Sequence, residues 1–420
     1  MGSTARWRML AVSGAALMTA STVAACGSDD GMRINVYYAP EQNFQSVIDR
    51  CNEDANGRYE IIYRTLPRDA DGQREQMVRR LAAGDTDLDI PGLDVTWVPE
   101  FAEAKWLEEW TGSNKSEAEK DVLDGPLTTA EWDGKLYAAT KNTNVQLLWY
   151  DESVTPTPPK TWREMIDMAK QLKSEGEPYQ ILFTGAQYEG LVVTYNTLVA
   201  SYGGQILSED GEEVVMDEGA VDALRLLKEV ASAGITDPSL TNAQEQQVQQ
   251  GFEAQGSEAA FELNWPYVYA AMQEGNPERA KTFKWARYPG IDGPGRVTIG
   301  GYNLGVSAYS QHKPEAFEAA LCLRNAESQR YSAINDGVPP TIESVYDGND
   351  QEFVGAYPMW ETILEELQDA AVRPLTPVYQ NLSTVTSKVL SPPQDIDPES
   401  TAAELREQLQ KALDSKGVLP

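Results

Sequence analysis

The sequence predicts an α/β protein with more than one domain. Three observations carry that expectation. Short alternating runs near the start are each followed by apolar residues at helical spacing, the pattern of parallel βαβ units. A chain of 420 residues is long for one hydrophobic core. Several strand-like runs end in carboxylates, amides or indoles, and open α/β sheets collect ligands beyond the carboxyl ends of their strands.

The N-terminus reads as a targeting segment. Arg6 and Arg8 precede an apolar, small-residue run from Met9 to Ala25, too short for a comfortable membrane span. It closes on Val23-Ala24-Ala25-Cys26, followed by Gly27-Ser28-Asp29-Asp30, and this order matches a bacterial lipobox. The expectation is a signal peptide over 1–25, cleavage before Cys26, and a lipidated tether over 26–31. The protein would then sit on the outer face of the cytoplasmic membrane. An ordinary secretory signal with an incidental cysteine is the alternative. Cys51 and Cys322 remain, and an exported compartment permits oxidation, so a Cys51–Cys322 disulfide is expected, against two buried free thiols.

The chain then reads in order. Arg33 to Tyr38 alternates as a first strand, and Phe44, Val47, Ile48 and Cys51 recur at helical spacing after a polar loop. Tyr59 to Arg64 is a second strand and Gly72 to Ala83 a helix. Leu88 to Val95 is a third strand, and a helix is expected over Phe101 to Leu107. Trp132 to Thr140 reads as a hairpin turning at Asp133-Gly134. The amides Asn142 and Asn144 precede a buried strand, Val145 to Tyr150, where a first crossing between domains is expected. Thr161-Trp162-Arg163-Glu164 is a capping box opening an amphipathic helix. Ile181 to Thr184 is a strand, Gly190 to Ser201 a buried helix, Val221 to Val230 a helix and Ala243 to Gln255 a Gln-rich helix. Val297 to Val306 is strand-like around Gly300-Gly301, whose backbone can approach a ligand. Pro314 to Arg324 is a helix, and Ala402 to Leu413 is the last one.

Composition removes several classes. A formal charge of −31 argues against nucleic acid and against broad docking on anionic lipid. The single histidine, His312, nearly removes His-based triads and His-rich zinc sites. Asp85, Asp87, Asp89 and Asp94 invite a calcium loop. Counted from Asp85, however, the positions that need Gly and Glu hold Ile90 and Thr96, so Asp85 and Asp87 read as a solvated turn. No metal or cofactor is expected. Trp and Tyr number 29 against 8 Phe, which suits wet clefts because their rings carry polar tips.

The stretch Ala259 to Tyr267 stands out. It begins as a buried strand and ends in Asn264, Trp265 and Tyr267 around Pro266, which cannot continue a ladder. With Glu262 it offers a carboxylate, an amide and a flat indole, a set that suits a sugar, against a strand edge with a packed Trp. Arg373, held before Pro374 between two helical segments, is either a fork for hydroxyls or one half of a surface salt bridge.

These features together resemble a family, the extracellular solute-binding proteins of sugar ABC importers, and within it the mycobacterial-type trehalose-binding lipoproteins. The carriers are the lipobox, Leu93-Asp94-Val95, Val145 to Tyr150, Glu189 to Val193, Glu262 to Pro266, Val297 to Gly301, Ala371 to Pro374 and Ile396 to Thr401. The chain is shorter than such relatives between Pro266 and Val297. The resemblance implies a two-lobed, maltose-binding-like α/β fold with the ligand in the interlobe cleft. It gives lobe one as 32–143 plus 299–343 and lobe two as 144–298 plus 344–420. It implies trehalose contacts at Asp94, Asn144, Glu262, Trp265, Gly301 and Arg373, with Gln42 and Asn43 in the loop after the first strand; Asn142 is a weaker candidate. It also implies a monomer, membrane-tethered through lipid, that hands sugar to permease subunits with their ATPase and is no enzyme.

The residue chemistry fits that implication. Carboxylates accept hydroxyl protons, amides both donate and accept, and arginine donates in a fork. Competing classes are a glycosidase pairing Asp94 with Glu262, a sensor or adhesion role, and, among binding proteins, one for maltose or another α-glucoside.

Overall fold

The computed structural model describes residues 31–208, 211 and 213–414. The predicted signal peptide and Cys26 lie outside the described residues.

Two sheets divide the molecule. The first runs in the order β2-β1-β3-β11-β6, with β1 Arg33–Tyr38, β2 Glu60–Thr65, β3 Ile90–Asp94, β6 Ala138–Asn144 and β11 Gly300–Gly305. The second runs β10-β7-β9-β8, with β7 Leu147–Asp151, β8 Gln180–Leu182, β9 Ala259–Asn264 and β10 Phe283–Ala286. A small hairpin, β4 Glu131–Trp132 and β5 Lys135–Leu136, turns at Asp133 and Gly134, which both adopt positive φ as the sequence predicts. Each sheet has its own buried core. Ile34, Val36, Phe44, Ile48 and Leu93 belong to the first, and Trp149, Ile181, Leu191, Phe252 and Phe261 to the second. The fold is the two-lobed, maltose-binding-like α/β architecture expected.

The parallel βαβ expectation holds for β1 with β2 and β3, but β11 runs antiparallel to both β3 and β6. The reason is topological. The chain reaches β11 after building the second sheet, so β11 starts at the cleft, where β3 ends. The helix expected over Phe101 to Leu107 is shorter, Val98–Glu103, and Leu107 instead bridges Ser307. Asn142 and Asn144 precede the expected buried strand, which starts at Leu147, but they lie in a strand of their own, β6. β6 pairs in the first sheet and β7 in the second, so the chain passes between the cores through Val145 and Gln146. A second passage lies near Thr298, which bridges Ala371.

Pro266 lies just beyond the end of β9, as expected. It caps the helix Tyr267–Gly275, where its missing N–H has no cost. The predicted capping box at Thr161 and Glu164 is present. Cys51 and Cys322 form a disulfide between the helices Phe44–Ala55 and Lys313–Leu323, with Cα atoms 5.9 Å apart.

Candidate functional site

The site forms where the two sheets end against each other. Asp94, Tyr302 and Asn142 stand opposite one another across β3, β11 and β6. Asn144 is the last residue of β6 and pairs with Gly300. Three residues later Leu147 begins β7, opposite Asn264 at the end of β9. The terminal rungs of both sheets therefore lie within one short crossing of each other, and the residues after them share a cleft.

Trp265 spans the junction. A Cβ added to Gly300 would meet its ring at 3.1 and 3.2 Å, and the Asn144 Cβ at 3.3 Å. The glycine is therefore what lets the indole lie against the hinge strand. Gly301, at φ +122°, plays a backbone part: a Cβ there would come within 2.4 Å of the Asn142 carbonyl. Its carbonyl accepts the Val95 N–H at 3.2 Å, so it fixes the approach of three strands.

Asp94 gathers three donors on Oδ1. The Thr96 N–H lies at 3.0 Å, the Thr96 hydroxyl at 2.8 Å and Arg373 Nη2 at 3.3 Å. Arg373 is buried, so it is no surface salt bridge. It arrives from the second lobe, in the extended segment between the helices Trp360–Asp369 and Tyr379–Leu390. Its Nη1 donates to Glu189, the first residue of the helix Glu189–Ser201. Burial alone would pull its pKa down, but Asp94, Tyr379 and Glu189 outweigh that and push it up, so it stays cationic.

Glu262 takes a different place from the one the sequence suggests. Its side chain is fully buried within β9 and accepts from Asn264 Nδ2 at 2.8 Å. Asn264 also donates to the Glu245 carbonyl at 3.1 Å and accepts the Trp149 indole N–H through its own carbonyl at 2.9 Å. Carboxylate and amide thus brace the strand end that presents Trp265. Burial pushes the Glu262 carboxyl up to about 8, with Glu253 adding to it and the Asn264 bond opposing it.

The remaining predicted residues divide. Asn142 Oδ1 accepts the Tyr38 hydroxyl at 2.9 Å and its Nδ2 reaches the Thr143 carbonyl, so its polar atoms are spent internally. Asn43 Nδ2 donates to Asp336 at 2.9 Å and to the Asn335 carbonyl at 3.3 Å, tying two helix ends together. Gln42 donates to Glu274 at 3.1 Å, a bond across the outer edge of the cleft. Asn144 keeps its Oδ1 buried without a hydrogen-bond partner.

Sequence reasoning missed several residues that line the same space. The Tyr302 hydroxyl donates to Gln73 at 3.0 Å, and its ring lies 5.3 Å from that of Tyr38. Glu245 opens the helix Glu245–Glu253 and sits beside Trp265 and Tyr188. The Tyr188 hydroxyl lies close enough to influence the Glu245 charge but meets no acceptor at hydrogen-bond geometry. Acidic residues at helix starts are common dipole partners, so neither Glu189 nor Glu245 carried a distinguishing signal. Tyr302, next to Gly300-Gly301, did carry one.

Buried polar atoms normally find partners, and each unpaired one costs about 1–3 kcal/mol. Asn144 Oδ1, Tyr188 Oη, Glu262 Oε2 and Arg373 Nε lack one. Asn144, which meets Gly300 beside Trp265, and Arg373, which meets Asp94, mark the strand ends as a place built for polar contacts. A cavity of about 400 Å³ between Thr128, Gly203-Gly204 and Ala371–Leu375 shares Arg373 with the cleft but not Asp94, Asn144 or Trp265. The polar set, rather than that void, locates the candidate site. Among the described residues no cluster of His, Cys, Asp and Glu could hold a metal ion.

The chain is similar to known proteins over most of its length. A probable ABC transporter-binding protein of Deinococcus radiodurans is 27% identical over 372 residues, covering 84% of this chain and 87% of that protein. Maltose-bound MalE3 of T. maritima superposes with a TM-score of 0.82 at 26% identity, covering 91% of this chain and all (100%) of that one. The GacH receptor of Streptomyces glaucescens superposes at 0.81, but its 18% identity over 92% of this chain and 100% of that one supports the fold alone. The family model described as bacterial extracellular solute-binding protein matches residues 40–330. A two-lobed fold, a cleft where both sheets end and that match over more than half the chain agree: the protein belongs to the bacterial extracellular solute-binding proteins.

Proposed function

We propose that the protein is the substrate-binding component of an ABC sugar importer, and that it binds trehalose by closure of its lobes and hands it to permease subunits. One observation carries the reading. Arg373 of one lobe reaches Asp94 of the other at 3.3 Å, beside an indole laid on Gly300. A ligand held there touches both lobes, so its binding energy is also closure energy.

The chemistry favours a neutral, hydroxyl-rich ligand. Asp94 and Glu189 both pair with the one arginine, Arg373, which disfavours an anion. Trp265 offers a flat apolar face for the C–H side of a sugar ring. Each charge-assisted hydrogen bond contributes about 1.5–3 kcal/mol, so four or five support a Kd of about 1 μM after association costs. Asp94, Asn144, Trp265 and Arg373 are the proposed direct contacts, with Tyr302 and Glu245 beside them. Glu262 acts from beneath, through the turn that carries Trp265, and Gly301 through the backbone. Gln42, Asn43 and Asn142 shape the rim and the first wall. The lipobox at Cys26 supports a lipid anchor on the outer face of the membrane, which keeps the binding protein near its permease.

A second reading, maltose or another α-glucoside, draws support from the MalE3 relative solved with maltose. A ligand panel separates the two. Trehalose is expected to raise the melting temperature more than maltose or glucose at equal concentration, as mass action requires of the tighter ligand. A larger shift with maltose would reverse the assignment. Release of glucose from trehalose on incubation would move the protein to the glycosidases.

A further inference from the structure

We propose that Glu189 is the positioning residue that sets Arg373 for ligand capture and keeps it on the second lobe when the cleft opens. The inference rests on the saccharide reading of the cleft. Three donors converge on the Glu189 carboxylate: Arg373 Nη1 and the Tyr379 hydroxyl on Oε1, and the Ser383 hydroxyl on Oε2. The Tyr379 bond is 2.6 Å long. All three residues lie in the C-terminal segment of the chain, so Glu189 ties that segment to the first turn of the helix Glu189–Ser201. A carboxylate at that end is also favoured by the helix dipole.

Arg373 thus carries two unequal ion pairs. The Glu189 pair is close and made by one lobe alone. The Asp94 pair is a single 3.3 Å contact to the other lobe. Two further bonds cross the cleft edges, Gln42 to Glu274 at 3.1 Å and Gln380 to Asp71 at 3.0 Å, and both join exposed groups. Opening the cleft breaks the long Asp94 contact and these edge bonds, and it leaves the Glu189 pair whole. Arg373 therefore does not collapse to a new rotamer in the open form. It waits in register, and its fork meets ligand and Asp94 together on closure. This is preorganisation: ordering the side chain beforehand removes that entropy from the binding step. Glu189 does not itself need to touch the ligand, because its oxygens already serve Arg373, Tyr379 and Ser383.

The test uses Glu189→Gln, Arg373→Lys and the double variant in the full protein. In ligand-free protein, the arginine Nε–H resonance that disappears in Arg373→Lys is expected to exchange slowly. In Glu189→Gln it is expected to exchange like an exposed arginine. Trehalose affinity, read by calorimetry, is expected to fall tenfold or more on Glu189→Gln when Arg373 is present, and less than threefold in the Arg373→Lys background. An unchanged resonance, or equal losses in both backgrounds, overturns the proposal and makes Glu189 a structural carboxylate. Should Glu189→Gln not fold, Glu189→Asp, which keeps the charge but retracts it, is expected to shift the same resonance and weaken binding at least threefold. If the wild type binds none of trehalose, maltose or glucose, the saccharide reading fails, while the ligand-free resonance still decides the role of Glu189.

Discussion

The two walls of the cleft use their polar atoms differently. On the first, Asn142 bonds to Tyr38, Tyr302 to Gln73, and Asp94 collects Thr96 twice. Apart from Asn144 Oδ1, at the very end of β6, that wall is internally satisfied. On the second, Tyr188 Oη, Glu262 Oε2 and Arg373 Nε are buried without partners. Unpaired buried groups raise the free energy of the empty site, so a ligand contact that satisfies Arg373 Nε is gained rather than exchanged, whereas Glu262 acts from beneath. On the proposed saccharide reading, the first wall supplies mainly shape, whereas the second supplies most of the affinity. Substitutions that act on one wall and not on the other can break that division.

The largest effect is expected at Arg373, the group common to both walls. Arg373→Ala should weaken trehalose binding by more than a hundredfold in calorimetry. It should also lower stability by roughly 3–5 kcal/mol in urea unfolding, because the buried Glu189 carboxylate loses its cation. Binding retained within tenfold would take Arg373 out of the site and leave the second wall with no special claim on affinity.

Trp265→Ala comes next. The indole rests on Gly300 and is half-buried, so part of its apolar face is free for a ligand. The expected loss is about tenfold to a hundredfold in affinity, on the order of 1.5–3 kcal/mol for one large apolar surface. The change in unfolding midpoint should be smaller than for Arg373→Ala. Tryptophan fluorescence of the wild type should respond to saturating trehalose. A variant that binds normally would make Trp265 a hinge spacer.

Much of this architecture was legible in the sequence. Alternation and helical spacing gave nearly every element of the first sheet, because amphipathic patterns report burial directly. Asp94 and Arg373 were found as strand-end and junction residues, and they meet across the lobes. What stayed hidden depends on which neighbour a side chain reaches. Glu262 reads like a cleft carboxylate, since it sits two residues from Asn264 and three from Trp265. The alternation of β9 turns it instead into the buried layer with Asn264. Asn43 and Asn142 read as free amides, yet Asp336 and Tyr38, distant in sequence, claim them. Glu189 and Glu245 could not be separated from ordinary acidic helix starts. The antiparallel direction of β11 was not legible, because it is set by where the chain comes from, which local pattern does not record.

A smaller effect, and one confined to the second wall, is expected from pH. Burial holds the Glu262 carboxyl up to about 8, above the ordinary value of 4.5, so the folded protein keeps a proton that the unfolded chain has lost. Its contribution to stability is therefore complete below the ordinary value and declines as pH rises through about 8. The decline is roughly 1 kcal/mol for each pH unit crossed. Glu262→Gln keeps the shape and removes the titration. Its urea midpoint, relative to wild type, is expected to climb steadily between pH 5 and pH 8. A constant difference over that range would mean that Glu262 is ionised in the folded protein and that its second oxygen has a partner.

The smallest effect on binding is expected at Asn142, and here the comparison is sharpest. Asn142→Ala removes the acceptor of the Tyr38 hydroxyl, leaving a buried donor unpaired in the first wall. The expected stability loss is about 1–3 kcal/mol. Affinity should change by less than threefold, because neither polar end of Asn142 is available to a ligand: Oδ1 holds Tyr38 and Nδ2 holds the Thr143 carbonyl. Its neighbour two residues on serves as the internal contrast. Asn144 lies in the same strand, but its Oδ1 is buried without a partner, so Asn144→Ala should invert the pattern, with a tenfold or larger loss of affinity and a smaller loss of stability. Calorimetry and urea unfolding of both variants give four numbers. If the two rank the same way on both axes, satisfied and unsatisfied amides are equivalent here, and an unpaired buried group is no guide to where the ligand binds.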